Sequence, residues 1–414
     1  MNSPRRPRRA TARQRSVLLS LGCFMLTRSI ALVTLCLGGC GLDENDGTPG
    51  GEHARELPVG LAIPEYFPLP LIPPENESSE EKIELGRWLF YDRRLSGNGE
   101  QRCADCHQQR LAFTDGRALA IGSTGEVHPR SSMGLTNIAY APTLGWADAQ
   151  LEFLEEQALI PMFGEFPIEL GLASPGAELL DRLRAEPRYQ SLFPRAFSGD
   201  PDPFTVENVT RALAAFQRSL ISSDSPFDRY FYGGDEGAIS EEAKEGFALF
   251  SSEKFECFHC HGGFNFSDAV YAGSGFRELS FHNTGLYMLD PRGSYPEGGQ
   301  GLYEQTRDPS DMGRFKAPTL RNVEVTAPYM HDGSVGSLDE VLDFYAAGGR
   351  FIEGGALQGD GRANPLKSIF IVGFTMSPEE RAALLAFLRS LTDEGFLNNP
   401  AFSDPADASG EERE

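Results

Sequence analysis

Two short segments carry most of the chemistry available to this chain: Cys103-Ala-Asp-Cys106-His107 and Cys257-Phe-His-Cys260-His261. In each, two thiols at a three-residue spacing are followed at once by an imidazole. That spacing lets both thiols reach the vinyl groups of one porphyrin while the adjacent imidazole meets its iron, the attachment pattern of a c-type haem. The rival reading is one zinc ion held by both pairs. Zinc would not need a histidine directly after each pair, and the long interval between them is unusual for a zinc ribbon. The other three of the seven cysteines are Cys23, Cys36 and Cys40, all near the start of the chain.

The elements that must position these motifs follow from the rest of the sequence. With 414 residues, 40% of them hydrophobic, the chain can bury two cores. Acids outnumber bases 60 to 37, for a net charge of -23, which argues against nucleic acid and anionic membrane surfaces as main partners. The first 39 residues depart from that average, with seven Arg and no acid. A basic start, an apolar stretch from Ser16 to Leu37 and the ending Leu37-Gly-Gly-Cys40 have the layout of a secretory signal of lipoprotein type, with Cys40 as the acylated residue. A membrane-spanning anchor is the alternative, but Arg28 cuts the apolar run below the ~20 residues a span needs. The expectation is an exported, periplasmic protein on a flexible tether over residues 40–60, touching the membrane through its lipid alone. Gly41 gives no inner-membrane retention signal of the Asp type, which favours the outer membrane.

Helical patterns precede both motifs. Ser78-x-x-Glu81 can cap a helix through Gly86-Arg-Trp-Leu-Phe90, and Ser240 one through Gly246-Phe-Ala-Leu-Phe250. The shared G-x-x-L-F segment points to a duplicated haem domain. Further helices are expected over Ala177 to Phe197, Thr205 to Ser222, Ser337 to Ala347 and Ser377 to Thr392, and no comparable run of alternating strands is present. The fold class is therefore mainly α, with two c-type cytochrome-like haem domains and long ordered loops. Their expected bounds are 61–230 and 231–395, with a junction near Phe227 to Gly237 and a disordered acidic tail over 396–414.

Beyond the motifs, the segments Phe315-Lys-Ala-Pro-Thr-Leu-Arg-Asn-Val323 and Thr326-Ala-Pro-Tyr-Met-His-Asp-Gly333 make residues 60 to 395 resemble the bacterial di-haem cytochrome c peroxidase and MauG family. His128-Pro-Arg, Ala139-Tyr-Ala-Pro-Thr-Leu-x-Trp146, Glu156-Gln-Ala-Leu-Ile-Pro161 and Pro167-Ile-Glu-Leu-Gly171 are most similar to a MauG-like subgroup related to the methanobactin-associated enzyme MbnH. The resemblance implies two covalent c-type haems. The first, held by Cys103, Cys106 and proximal His107, would meet hydrogen peroxide. The second, held by Cys257, Cys260 and His261, would store or pass electrons. It further implies that Trp146, one of two tryptophans, bridges the haems, whereas Trp88 fits a core role.

Peroxide chemistry needs a group that takes a proton from one oxygen and returns it to the other. The resemblance assigns this to Glu169, with Gln157 and Pro161 upstream, and two extra residues after Pro161 leave Glu165 as a competitor. It also places Tyr345, 14 residues past His331, where peroxidases carry a Met ligand and MauG a Tyr. A phenolate favours ferric over ferrous iron, so this haem should have a low potential. Met330, Met288 and Met312 are the alternative ligands. The histidine that blocks the first haem in resting peroxidases has no match near Ser123, and His128 lies too close to Arg130, so an open ferric haem is expected. The family's calcium site would use Thr326 and Pro328, with Ser131 replacing an Asn. His282 and His331 are expected to order the second haem through hydrogen bonds, and His259 and His53 to be solvated.

The resulting expectation is a haem-dependent oxidoreductase that uses peroxide to oxidise a side chain, tryptophan foremost, of a partner protein through a high-valent di-haem state. The alternative is a cytochrome c peroxidase drawing electrons from a small cytochrome.

Overall fold

The helices begin where short polar side chains can accept the first free backbone N–H groups. Ser79 accepts from Lys82 at the head of α1 (Glu80–Phe90), one residue later than the expected Ser78, whose hydroxyl instead donates to the Val59 carbonyl. In the computed structural model, which describes residues 56–273 and 275–409, α1 is followed by α2 (Cys103–Cys106), α3 (Leu154–Gln157), α4 (Leu159–Phe163), α5 (Ala177–Ala185), α6 (Pro187–Ala196), α7 (Val206–Ser219) and α8 (Pro226–Phe231). Then come α9 (Glu241–Phe250), α10 (Tyr303–Thr306), α11 (Leu338–Ala346), α12 (Pro378–Ser390), α13 (Glu394–Leu397) and α14 (Pro405–Ser409). Ser240, Ser337 and Ser377 cap α9, α11 and α12 as the sequence implies. The helix expected over Ala177 to Phe197 is two helices, because Pro187 lacks an N–H and starts α6 afresh.

Strand structure among the described residues is limited to three antiparallel two-stranded ribbons. They are β1 (Val270–Tyr271) with β2 (Arg277–Glu278), β3 (Phe281–Asn283) with β4 (Arg314–Lys316), and β5 (Phe351–Ile352) with β6 (Gly359–Asp360). In the middle ribbon, His282 sits opposite Phe315.

Two cores are built on one plan. In the first, α1 crosses α7, burying Leu85, Leu89, Leu213 and Phe216. In the second, α9 crosses α12, burying Phe250, Leu384, Phe387 and Leu388. Each such side chain contributes roughly 1.5–3 kcal/mol when fully buried. The crossings require glycine: a Cβ on Gly86 would lie 1.9 Å from the Ala212 carbonyl oxygen, and one on Gly246 1.9 Å from that of Ala383. The expected duplication is thus visible as geometry.

The two lobes share one body. Arg321 is fully buried and grips Asp228 through two guanidinium nitrogens at 2.8 and 2.9 Å. Nearby, the Asn322 amide donates to Ser222 Oγ at 3.0 Å, and the Asn137 amide to the Ser222 carbonyl at 3.1 Å. Helix α8 runs across the expected boundary at residue 230, and its Phe227 packs in the second core.

The disorder expected over 396–414 is corrected for the residues described there. Phe396, Leu397 and Phe402 enter the first core, Arg102 pairs with Asp404 at 2.9 Å, and Tyr91 donates to the Phe402 carbonyl at 2.7 Å. An acidic segment folds here because its three apolar side chains have a surface to cover. The expected signal and Cys40, His53 and most of the tether lie outside the described residues.

Candidate active site

Both histidines of the haem motifs are held in the same way. His107 Nδ1 lies 2.8 Å from the Phe113 carbonyl, and His261 Nδ1 lies 3.2 Å from the Phe266 carbonyl. A carbonyl only accepts, so Nδ1 carries the proton and Nε2 keeps its lone pair for a metal. Each phenylalanine takes a left-handed conformation, φ 64° at Phe113 and 48° at Phe266, which turns its carbonyl toward the ring. Both imidazoles are buried, and burial pushes their pKa below the ordinary value, so both are neutral, as an iron ligand must be. This donor set fits a c-type haem on each lobe. The rival zinc reading does not hold, because no group of metal ligands among the described residues combines the two cysteine pairs.

The second motif opens onto a mostly apolar cavity of about 280 Å³. Cys257, Cys260 and His261 line it together with Tyr345 from α11 and Trp146. Burial, then the Cys260 and Cys257 thiols, hold the Tyr345 phenol above its usual range. Met330 lines the cavity as well, whereas Met288 and Met312 do not.

Trp146 is tied to both lobes. Its indole N–H donates to the Ser131 carbonyl at 2.9 Å, the neighbouring Ser132 hydroxyl donates to the Cys106 carbonyl at 2.6 Å, and its own carbonyl accepts from Lys316 N–H at 2.9 Å. Trp88, by contrast, packs on the first core under the Arg188 guanidinium. Ser131, Thr326 and Pro328 line the same cavity.

Glu169 comes beside the first motif by backbone pairing: Ser123 N–H donates to its carbonyl at 2.6 Å, and Leu170 N–H to that of Pro161 at 2.8 Å. Its charge acts on the Cys103 and Cys106 thiols, and burial pushes its carboxyl up to about 7. A third of its side chain stays accessible, so it is both desolvated and reachable. Gln157 ends α3 half-buried, and Glu165 is exposed.

The remaining histidines sit in distinct settings. His331 is buried and stacked on Phe315 at 3.7 Å, so it orders the cavity by packing, and burial drives its pKa down to about 4. His259 stays partly accessible, with its ring stacked on Phe370 at 4.1 Å and its Nε2 2.8 Å from Glu256. His282 does hydrogen-bond, to Asp268 at 2.5 Å, and Asp268 N–H in turn donates to the Cys260 carbonyl at 2.8 Å.

Sequence reasoning passed over Lys316. It is fully buried beside Trp146, donates to the Thr143 carbonyl at 2.6 Å, and is pushed down to about 8 by burial. A lone lysine inside the apolar run Phe315 to Leu320 was the available signal.

Two cysteine-histidine motifs, each with its imidazole Nδ1 held by a backbone carbonyl, on duplicated helix pairs define a di-haem c-type cytochrome fold. Comparison with known proteins agrees. The family model for di-haem cytochrome c peroxidase matches residues 80–236. The chain is 37% identical to the methylamine utilization protein MauG of Methylorubrum extorquens, over 78% of this chain and 81% of that protein. It is 35% identical to a cytochrome-c peroxidase of Pseudomonas sp. (strain SCT), over 84% of this chain and 90% of that one. The crystal structure of a MauG-like protein associated with microbial copper homeostasis has a TM-score of 0.81 and 47% identity, covering 83% of this chain and 98% of that chain. The chain belongs to the di-haem cytochrome c peroxidase and MauG family: it is a haem-dependent oxidoreductase of peroxidase type with two c-type haems.

Proposed function

We propose that this protein is an exported, lipid-tethered periplasmic enzyme of MauG type that uses hydrogen peroxide to oxidise a side chain, tryptophan foremost, of a partner protein. The observation that carries the reading is Tyr345 in the cavity of the second motif, where an oxygen ligand opposes reduction of the iron. When bound, the haems supply the iron that takes up peroxide and the store that holds the oxidising equivalents. The protein's own residues handle protons and electron flow. Glu169 takes a proton from one peroxide oxygen and returns it to the departing one. Gln157 and Pro161 shape that side of the site. Trp146, joined to both lobes by hydrogen bonds, carries electrons between them. The balance closes when hydrogen peroxide gains two electrons and two protons to become two waters, while the partner side chain loses two electrons and two protons. The partner stays at the surface, and its electrons hop inward.

His107, with Cys103 and Cys106, would hold the first haem, and His261 and Tyr345, with Cys257 and Cys260, the second. Calcium is supported by the presence of Ser131, Thr326 and Pro328 along one cavity. The Ser131 hydroxyl already meets the Met330 carbonyl at 3.3 Å and its carbonyl takes the Trp146 indole, so a cation would share both oxygens, and no step above depends on it.

The test is stoichiometric peroxide added to the fully ferric holoprotein without reductant, followed by absorption and electron paramagnetic resonance. The reading expects the ferric signals of both haems to fall together. Protein that stays inert until one haem is reduced would overturn it. That result would favour the second reading, a cytochrome c peroxidase with Met330 as the ligand, which rests on Met330 lining the same cavity. Trp146→Phe should abolish partner oxidation with both haems still attached.

A further inference from the structure

The hairpin over residues 121–128 is pressed onto the segment that carries Glu169. Ser123 N–H donates to the Glu169 carbonyl at 2.6 Å, and Glu126 accepts from Ile168 N–H at 2.9 Å. A Cβ on Gly122 would lie 1.8 Å from the Ile168 carbonyl oxygen, so only glycine permits this approach. The hairpin ends at His128, whose N–H donates to the Ala120 carbonyl at 2.9 Å. Its ring comes back over the carboxyl: Nε2 is 3.7 Å from Glu169 Oε1, shielded from solvent and without a hydrogen-bond partner.

A shielded imidazole nitrogen with no partner, next to a carboxyl that must alternate between neutral and charged, is an incomplete hydrogen bond. The other titratable groups around the pair are Glu126 on the hairpin, and Cys103, Cys106, Asp105 and Asp115 on the side of the first motif. Glu126, Asp105 and Asp115 are carboxyls, and the two cysteines are the haem-attachment residues. None of these favours a second negative charge, and Glu169 is raised by burial alone. Burial lowers the His128 pKa, with Glu126 opposing, so at neutral pH the ring is a neutral donor rather than a cation.

We infer that His128 is a positioning residue for Glu169: its Nε2–H closes onto Oε1 of the charged carboxylate and leaves Oε2 free for the peroxide proton. The inference deepens the reading above and rests on Glu169 being the proton-transfer group. His128 does not ligate iron in it and does not touch peroxide.

The test separates the two claims by a binding readout. Cyanide binds ferric haem from hydrogen cyanide, which must give its proton to a nearby base, so its affinity tracks the state of that base. Cyanide affinity of the ferric holoprotein, measured optically from about pH 5.5 to about pH 8.5, should rise with a midpoint near 7, following burial of the carboxyl. In His128→Ala the midpoint should move up by about one unit, which at pH 7 cuts the charged fraction, and cyanide association with it, about fivefold. His128→Gln keeps an N–H at similar reach and should restore most of the profile, and stopped-flow peroxide rates should shift alike. An unchanged midpoint in His128→Ala, or a His128→Gln profile no better than alanine with both haems intact, overturns the inference. A Glu169→Gln profile identical to the wild type, or a ferric protein that takes no cyanide at any pH, overturns the Glu169 reading and this inference with it.

Discussion

The two lobes are alike on one side of each motif and different on the other. Gly86 and Gly246 let α1 and α9 approach α7 and α12 to the same distance, and Phe216 and Phe387 sit against them at 2.9 and 2.8 Å from the would-be Cβ. Phe113 and Phe266 hold the two imidazoles. Asn137 and Asn322, both left-handed, donate their N–H to the ends of the matching helices, at Leu220 and Leu391. The open faces share nothing comparable: the first receives Glu169 from a loop pinned by a hairpin, the second Tyr345 from α11. The matching halves hold the haem motifs in one way, and the covering segments are where the two lobes diverge.

Four experiments would break or sharpen this contrast. Glu169→Gln removes the proposed proton acceptor from one lobe and should slow the peroxide reaction by roughly 10²–10⁴-fold while both haems stay attached; a loss under threefold in stopped-flow rates would dissolve the functional asymmetry. Because the carboxyl sits near 7, and only its charged form accepts a proton, the wild-type rate should climb as pH rises through that value.

Asp228→Ala strands the buried Arg321 and should cost about 3–5 kcal/mol in chemical denaturation. If the lobes share a single body, both haem environments should report the same lower midpoint; unfolding confined to the second lobe would show that they are separate domains. Gly86→Ala and Gly246→Ala overfill equivalent crossings and should each cost about 1–3 kcal/mol or more, by similar amounts. A tolerated change at one of them would refute their equivalence. Truncation after Asn399 removes Phe402 and the Asp404 partner of Arg102, with an expected loss of about 1.5–3 kcal/mol seen in the first lobe, and an unchanged melting curve would restore the disordered tail.

The sequence by itself determined the two haem motifs, the helical class, the serine caps of α9, α11 and α12 and the duplication, because these depend on spacing within a few residues. Cys-x-x-Cys-His is local chemistry, and a serine before a helix acts within one turn. The family resemblance of Pro167-Ile-Glu-Leu-Gly171 pointed to Glu169, and the two extra residues after Pro161 left Glu165 in contention. Tertiary structure decided what depends on distant segments meeting. Residues 396–407 looked like an acidic tail until the surface that receives Phe396 and Phe402 existed. His128 lies too close to Arg130 in sequence to be the blocking histidine, and only the 121–128 hairpin, folded onto the Ile168–Glu169 backbone, brings it to a carboxylate. Lys316 and Trp146 meet because β4 pairs with β3 and carries its N–H to the tryptophan carbonyl, a contact across 170 residues of chain that no local pattern encodes.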